Sequence, residues 1–221
     1  NWRLITSGMV NFPDSAPTQA TALTSELHRV GVALPDDPPP PVDQTIPIDQ
    51  RAVDPAAGEI LSDTGELYRN WAQRYGWIDT PRTKIAYGFL GEQGEISLQG
   101  LELKAETDFA VIAISSLTDD PIDFSESLLL TAIGRCDNTG AQYDPEHRKQ
   151  LDPGHPPVLI EPIRARLRLK TARPNLKVLV ISEHGELVAR LPRDYQDGYL
   201  SFEIGPQPPW NPSTMYYLIR I

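Results

Sequence analysis

The run Ile163-Arg164-Ala165-Arg166-Leu167-Arg168-Leu169-Lys170 decides how the chain is read. Four apolar residues alternate with four cations, and a period of two sends successive side chains to opposite faces of an extended strand. One dry face and one wet face is the pattern of an antiparallel sheet covered on a single side. The basic row admits an anion-binding reading. With 30 Asp and Glu against 20 Lys and Arg in the chain, four solvent-facing cations are more simply a solubilising device that also protects a sheet edge.

Outward from this strand the same chemistry repeats. Short β-rich runs cover 84–90, 95–104, 109–117, 127–133, 158–170, 176–182, 187–191, 199–204 and 215–221. Between them stand turn clusters such as Ser62-Asp63-Thr64-Gly65, 91–94, Asp119-Asp120-Pro121, 137–140, Asp152-Pro153-Gly154 and Asp197-Gly198. Gly tolerates positive φ, Pro presets φ, and Asn and Asp bond their own backbone, so such clusters break extended runs. The runs 176–182 and 187–191 are joined by Glu183-His184-Gly185-Glu186 and read as a hairpin. Turn signals this regular predict an antiparallel β-sandwich of about eight to ten strands over residues 60–221.

The first part of the chain reads differently. Over 18–30, Ala20, Leu23, Leu27 and Val30 keep a helical spacing, with Pro17 suited to a first turn and Gly31 to a stop. One short amphipathic helix cannot bury its own stripe and must dock on something. Residues 35–57 hold Pro35, Pro38, Pro39, Pro40, Pro41, Pro47 and Pro55 among Asp36, Asp37 and Asp43. Four consecutive prolines favour polyproline II, a stiff spacer. The acidic flanks and the lack of a basic anchor exclude an SH3-type ligand. The expected organisation is an N-terminal helical segment (1–34), a Pro-rich linker (35–59) and a β-sandwich (60–221). The start, Asn1-Trp2-Arg3-Leu4, is neither an initiator Met nor a signal peptide, so a trimmed or processed chain is expected.

Composition narrows the function classes. The net charge of −10 over 221 residues argues against a nucleic-acid partner, whose affinity comes mainly from Lys and Arg on phosphates. No apolar run approaches the roughly 18 residues that span a bilayer. The single Cys136 excludes an intrachain disulfide and any multi-cysteine zinc site. With 22 prolines, a long helical bundle is disfavoured.

Motifs that carry chemistry are scarce. There is no Gly-x-Ser-x-Gly elbow, no phosphate loop and no His-x-x-x-His spacing. His28, His147, His155 and His184 stand apart; His147 and His155 share a loop with Asp144, Glu146 and Asp152, for which solvation is the simpler reading than metal binding. Carboxylates are abundant, as on any acidic surface, and abundance does not make a catalytic pair. No catalytic residue, metal ligand or cofactor is therefore assigned. The aromatics are more informative. Trp71, Tyr75 and Trp77 cluster ahead of the first firm strand, and Trp210, Tyr216 and Tyr217 sit near the end. Flat aromatic faces stack on sugar rings, which makes Trp71, Tyr75, Trp77 and Trp210 candidate carbohydrate contacts. The structural alternative, which the sequence favours, is that Trp71 and Trp77 pin the linker to the sandwich and that Tyr216 or Tyr217 fills the core.

Three blocks, 62–67 (Ser-Asp-Thr-Gly-Glu-Leu), 77–83 (Trp-Ile-Asp-Thr-Pro-Arg-Thr) and 88–91 (Gly-Phe-Leu-Gly), resemble a segment at the C-terminal end of large bacterial glycoside hydrolases. In those enzymes a (β/α)8 catalytic barrel is followed by a β-sandwich. The likeness continues through 109–117, through 128–135 (Leu-Leu-Leu-Thr-Ala-Ile-Gly-Arg), Asn138-Thr139-Gly140 and 157–163, and ends near Trp210 and Tyr216-Tyr217. The resemblance implies that 1–34 is the tail of the barrel and the proline segment the crossing between domains. It brings no catalytic residues, because the family's acid and base lie on barrel strands. It implies a non-catalytic accessory domain, extracellular or periplasmic, whose partner is the barrel of the same polypeptide. An autonomous carbohydrate-binding module, with carbohydrate as partner, is the competing reading; no nucleic acid and no membrane span are expected under either.

Overall fold

The computed structural model describes residues 2–4, 26–27, 29–31, 53–54, 56–146, 148–206 and 214–221. The chain divides into two compact units, Asn1–Gly76 and Trp77–Ile221.

In the first unit, β1 (Trp2–Leu4) pairs in parallel with β2 (Arg29–Gly31). An antiparallel meander follows, built of β3 (Val53–Asp54), β4 (Glu59–Leu61) and β5 (Leu67–Asn70). The helix expected over 18–30 is corrected at its end. Glu26 and Leu27 are helical, but Val30 lies in β2, its backbone paired with Arg3. Residues 18–25 and His28 lie outside the described residues, as does most of the proline spacer. Of the expected linker, Val53, Asp54 and Glu59 lie in strands. The helical turn is anchored: Leu27 is buried, its carbonyl accepts from Asp63 N at 2.9 Å, and Glu26 takes Arg69 in two hydrogen bonds of 2.7 and 2.8 Å.

Strand β6 (Tyr75–Asp79) leads into the second unit. Its further strands are β7 (Thr83–Gly88), β8 (Glu95–Leu98), β9 (Leu101–Ala105), β10 (Ala110–Ser116), β11 (Ser127–Ile133), β12 (Cys136–Thr139) and β13 (Gln142–Tyr143). Then come β14 (Gln150–Asp152), β15 (His155–Ile160), β16 (Ala165–Lys170), β17 (Lys177–Ile181), β18 (Leu187–Arg190), β19 (Arg193–Gln196), β20 (Tyr199–Ile204) and β21 (Tyr216–Arg220). One sheet runs in the order β18-β17-β21-β11-β10-β7, each neighbouring pair antiparallel. A second, also antiparallel, runs β19-β20-β16-β9-β8. Two small ribbons, β12–β15 and β13–β14, form an arm between β11 and β16. The chain is thus mainly antiparallel β-sheet.

Each large sheet buries one face. On β16 the buried residues are Ala165, Leu167 and Leu169, preceded by Ile163; on β20 they are Leu200, Phe202 and Ile204, and on β9 Leu101, Leu103 and Ala105. In the other sheet Ala110, Ile112 and Ile114 of β10 and Leu128, Leu130 and Ala132 of β11 do the same. Tyr217 of β21 fills part of this core. Its hydroxyl accepts from Gly205 N at 3.3 Å, and burial pushes its phenol above the ordinary value.

The basic row of β16 is exposed as its alternation requires, but it protects no edge, because β16 lies between β20 and β9. Its charges meet carboxylates from neighbouring strands and loops. Arg166 reaches Glu203, its register partner, at 2.8 Å; Arg168 takes Glu102, also its register partner, at 2.9 Å and stacks 3.9 Å from the Tyr199 ring centre; Lys170 faces Asp123 at 3.6 Å. Such exposed cross-strand pairs add only tenths of a kcal/mol each, roughly 0.2–1. Three of the four cations in the row, Arg166, Arg168 and Lys170, are thus already paired with carboxylates.

Some expected runs break. The run 95–104 is the hairpin β8–β9, turning at Gly100, whose φ is +77°. The run 158–170 is two strands, β15 and β16, interrupted around Pro162, which has no N–H to give to a ladder. The expected turn 137–140 instead contributes Asp137, Asn138 and Thr139 to β12, with a register shift between Asn138 and Thr139. Strands β1 to β6, β13, β14 and β19 were not expected; each is short, five residues or fewer.

The arm's base closes at Gly134. A Cβ there would lie 2.9 Å from both Glu161 O and Ile163 Cδ1, closer than a packed interior tolerates. Gly134→Ala is expected to lower stability by about 1–3 kcal/mol, the usual cost of overpacking, measured as a shift in urea midpoint. An unchanged midpoint would mean that the segments separate freely.

Candidate functional site

The candidate sugar contacts do not all fall among the described residues. Trp71 is 38% exposed, with the Arg69 guanidinium 5.2 Å from its ring centre. Tyr75 is half-buried, its ring 5.7 Å from that of Tyr68 at 60°. The Tyr68 hydroxyl donates to Glu59 at 2.6 Å, and burial together with that carboxylate pushes its phenol well above the ordinary range. Both belong to the first unit. Trp77 is half-buried in the second unit, and Trp210 lies outside the described residues. His155 and His184 are exposed, as is Cys136, and His147 is outside the described residues. Among the described residues no three His, Cys, Asp or Glu side chains gather as metal ligands would.

Of the blocks quoted above, 88–91, 109–117 and 128–135 meet in space. Phe89 and Phe109 pack edge to face with centres 5.6 Å apart, and the Arg135 guanidinium lies 5.7 Å from each ring while pairing with Asp108 at 3.1 Å. This joins the Gly-Phe-Leu-Gly block to the Ile-Gly-Arg block through a cation–π contact. Within the 77–83 block, Asp79 pairs with the buried ammonium of Lys84, Thr80 and Thr83 close a turn through Thr80 N to Thr83 O at 2.9 Å, and Pro81 O accepts from Ile122 N at 2.9 Å. These arrangements hold backbone and charge in place.

The second unit also carries a groove of about 500 Å³. It lies at one end of the β11, β17 and β21 strands, beside the root of the arm. Ile160, Val180, Val188, Met215 and Tyr216 contribute to its walls. The hairpin β17–β18 supplies one side because Ser182 accepts from the backbone of His184 and Glu186, holding the turn tight. Thr214 fixes the β21 side: its hydroxyl donates to Ile181 O at 2.5 Å and accepts from Tyr216 N at 3.1 Å. At the arm's root, Glu161 N donates to Arg135 O at 2.8 Å, which sets the course of the chain. Glu161 is one of the residues around the groove, and its Oε2 is covered by protein and without a hydrogen-bond partner among the described residues.

Sequence reasoning did not find this place. Glu161 is one carboxylate among 30 acidic residues, inside a run read as a continuous strand. Its only local signal is the neighbouring Pro162, which interrupts the ladder. The groove's walls come from segments far apart in the chain. No family model, no curated protein and no solved structure matches this chain.

Proposed function

We propose that this chain is the non-catalytic C-terminal domain of a bacterial glycoside hydrolase, exported from the cytoplasm. In this reading its two large sheets are the layers of a β-sandwich, which packs on and supports a (β/α)8 catalytic barrel of the same polypeptide. The observation that carries the docking is the arm. All six residues of β15 are exposed, Val158 at 57%, Leu159 at 56% and Ile160 at 43%, and Leu151 of β14 is exposed at 60%. A two-stranded ribbon is marginal in water alone, and an apolar patch on a folded domain marks a surface meant for a neighbour. The blocks described above supply the family likeness.

The test is the double variant Val158→Ser and Leu159→Ser. In the chain alone it should change stability by no more than about 0.5 kcal/mol, as for other surface substitutions. Joined to the barrel, it should lower the barrel's calorimetric transition by several degrees. An unchanged transition would count against docking through the arm. The alternative, an autonomous carbohydrate-binding module, draws on the exposure of Trp71. Retardation of the chain in gels containing soluble polysaccharide, lost in Trp71→Ala, would favour that module.

A further inference from the structure

We propose that Arg190, Lys177 and Arg220, three exposed cations on the face of the sheet β18-β17-β21-β11-β10-β7 that points away from its core, form a strip that binds an acidic polysaccharide through its carboxylates. Register places the three together. Lys177 of β17 stands directly opposite Arg220 of β21, and Arg190 of β18 stands opposite Leu179, two residues along β17 from Lys177. Opposed residues share a face, and so do residues two apart, so all three side chains leave the same side of the sheet. Opposed Cβ atoms lie about 5 Å apart and diagonal ones about 7–8 Å. Beyond Arg220 the next residue in register is Ser127 of β11, which adds a hydroxyl. The strip therefore crosses four strands, about 14 Å at the usual strand spacing.

The charges call for a partner. Like charges directly opposed on a sheet are destabilising. On β16 the cations Arg166, Arg168 and Lys170 each have a carboxylate. Among the described residues Lys177, Arg190 and Arg220 have none. Glu126, beside Ser127 in the chain, is taken by Arg173 at 3.2 Å. On a chain of net charge −10, an uncompensated strip of one sign is a local field that attracts anions. It lies on an exposed sheet face, so an extended polymer that gathers several weak contacts suits it better than a small anion, which needs a concave site. The adjoining row, Leu129, Leu218 and Leu179, is half-buried and in register, and gives the apolar faces of sugar rings a surface to cover. A nucleic acid fits less well, because its closely spaced phosphates would meet only three cations on an acidic chain. The choice of a sugar polymer rests on the glycoside-hydrolase reading above; the strip itself does not.

Backbone-amide NMR titration of the chain tests it, with oligogalacturonate, its methyl ester and oligodeoxythymidylate of equal length as probes. The acidic oligosaccharide should shift the amide signals of Lys177, Arg190 and Arg220, bind about tenfold tighter than its ester, and lose that advantage at high salt. The double variant Lys177→Ser and Arg220→Ser should weaken it about tenfold, and Trp71→Ala should leave it unchanged. Lys177→Glu, which sets a carboxylate opposite Arg220, should raise the urea midpoint while abolishing the shifts, which keeps the test open if the double variant unfolds. Equal binding of acid and ester, tighter binding of the oligonucleotide, full affinity in the double variant, or shifts only at other residues would overturn the proposal. Because binding is read on the chain alone, its failure is told apart from a failure of the arm to dock on a barrel, which calorimetry of the joined protein reads.

Discussion

Lys84→Met should lower the stability of the chain by about 3–5 kcal/mol, the cost of removing one partner from a buried ion pair. Lys84 belongs to the buried face of β7, in one row with Ala86 and Gly88 and opposite Ile114 of β10. Its side chain is 3% exposed and its ammonium pairs with Asp79, which is 14% exposed, with Thr80 O a further 3.4 Å away. The other Asp79 oxygen accepts from Gln99 N at 2.6 Å, so the carboxylate ties the end of β6 to the β8–β9 turn. Without the ammonium that carboxylate keeps one backbone donor and loses its counter-charge in a dry site. Asp79→Leu in the same background should recover part of the loss, because a pair replaced by apolar groups leaves no orphaned charge. Urea unfolding of the two single variants and the double variant measures the coupling. Strictly additive losses, or a single-variant loss below about 1 kcal/mol, would show that the pair is effectively solvated.

The second large effect is Leu167→Ala, expected to cost about 2–5 kcal/mol, against well under 1 kcal/mol for Arg166→Ala. Leu167 is 2% exposed and stands in register between Phe202 and Leu103, so truncation opens a cavity whose lining lies on three strands. Arg166, the adjacent residue, is 64% exposed by side chain, and its bond to Glu203 is a screened surface pair. Urea midpoints of the two variants compare them directly. Equal losses would count against this facing of β16, and a larger loss at Arg166 would mean that it is inverted, as a slip of one residue in register would produce.

That facing was legible in the sequence because it is local. Alternation is a property of consecutive residues, and Ile163 to Lys170 carries it without interruption. The turns at Gly100, Gly185 and Gly198 were partly legible for the same reason: each has positive φ, which glycine adopts without strain. Of these, the turn at Gly100 was still missed, since Leu98, Leu101 and Leu103 on both sides continue the apolar count across it.

The polar elements were not legible. Strand β12 reads Cys-Asp-Asn-Thr, turn chemistry by composition, and it is extended because β15 pairs with it from residues 155–160. Val30 completes a helical spacing, and its pairing with Arg3 draws it into a strand instead. In both cases a long-range backbone partner overrides a local preference worth only tenths of a kcal/mol per residue.

By itself, then, the sequence determined that the chain is β-rich, where most core strands lie, and which face of β16 is dry; these follow from periodicity and turn chemistry within a few residues. Only the tertiary structure decided that β16 is central and three of its cations are paired, that Lys84 is buried on Asp79, that Phe89, Phe109 and Arg135 meet, and that Glu161 is among the residues around an apolar groove. The physical reason is common to all four. Each depends on which distant segments become neighbours, and hydrogen-bonded register and exclusion of water act on residues that composition and spacing leave indistinguishable from the rest of the acidic, turn-rich surface.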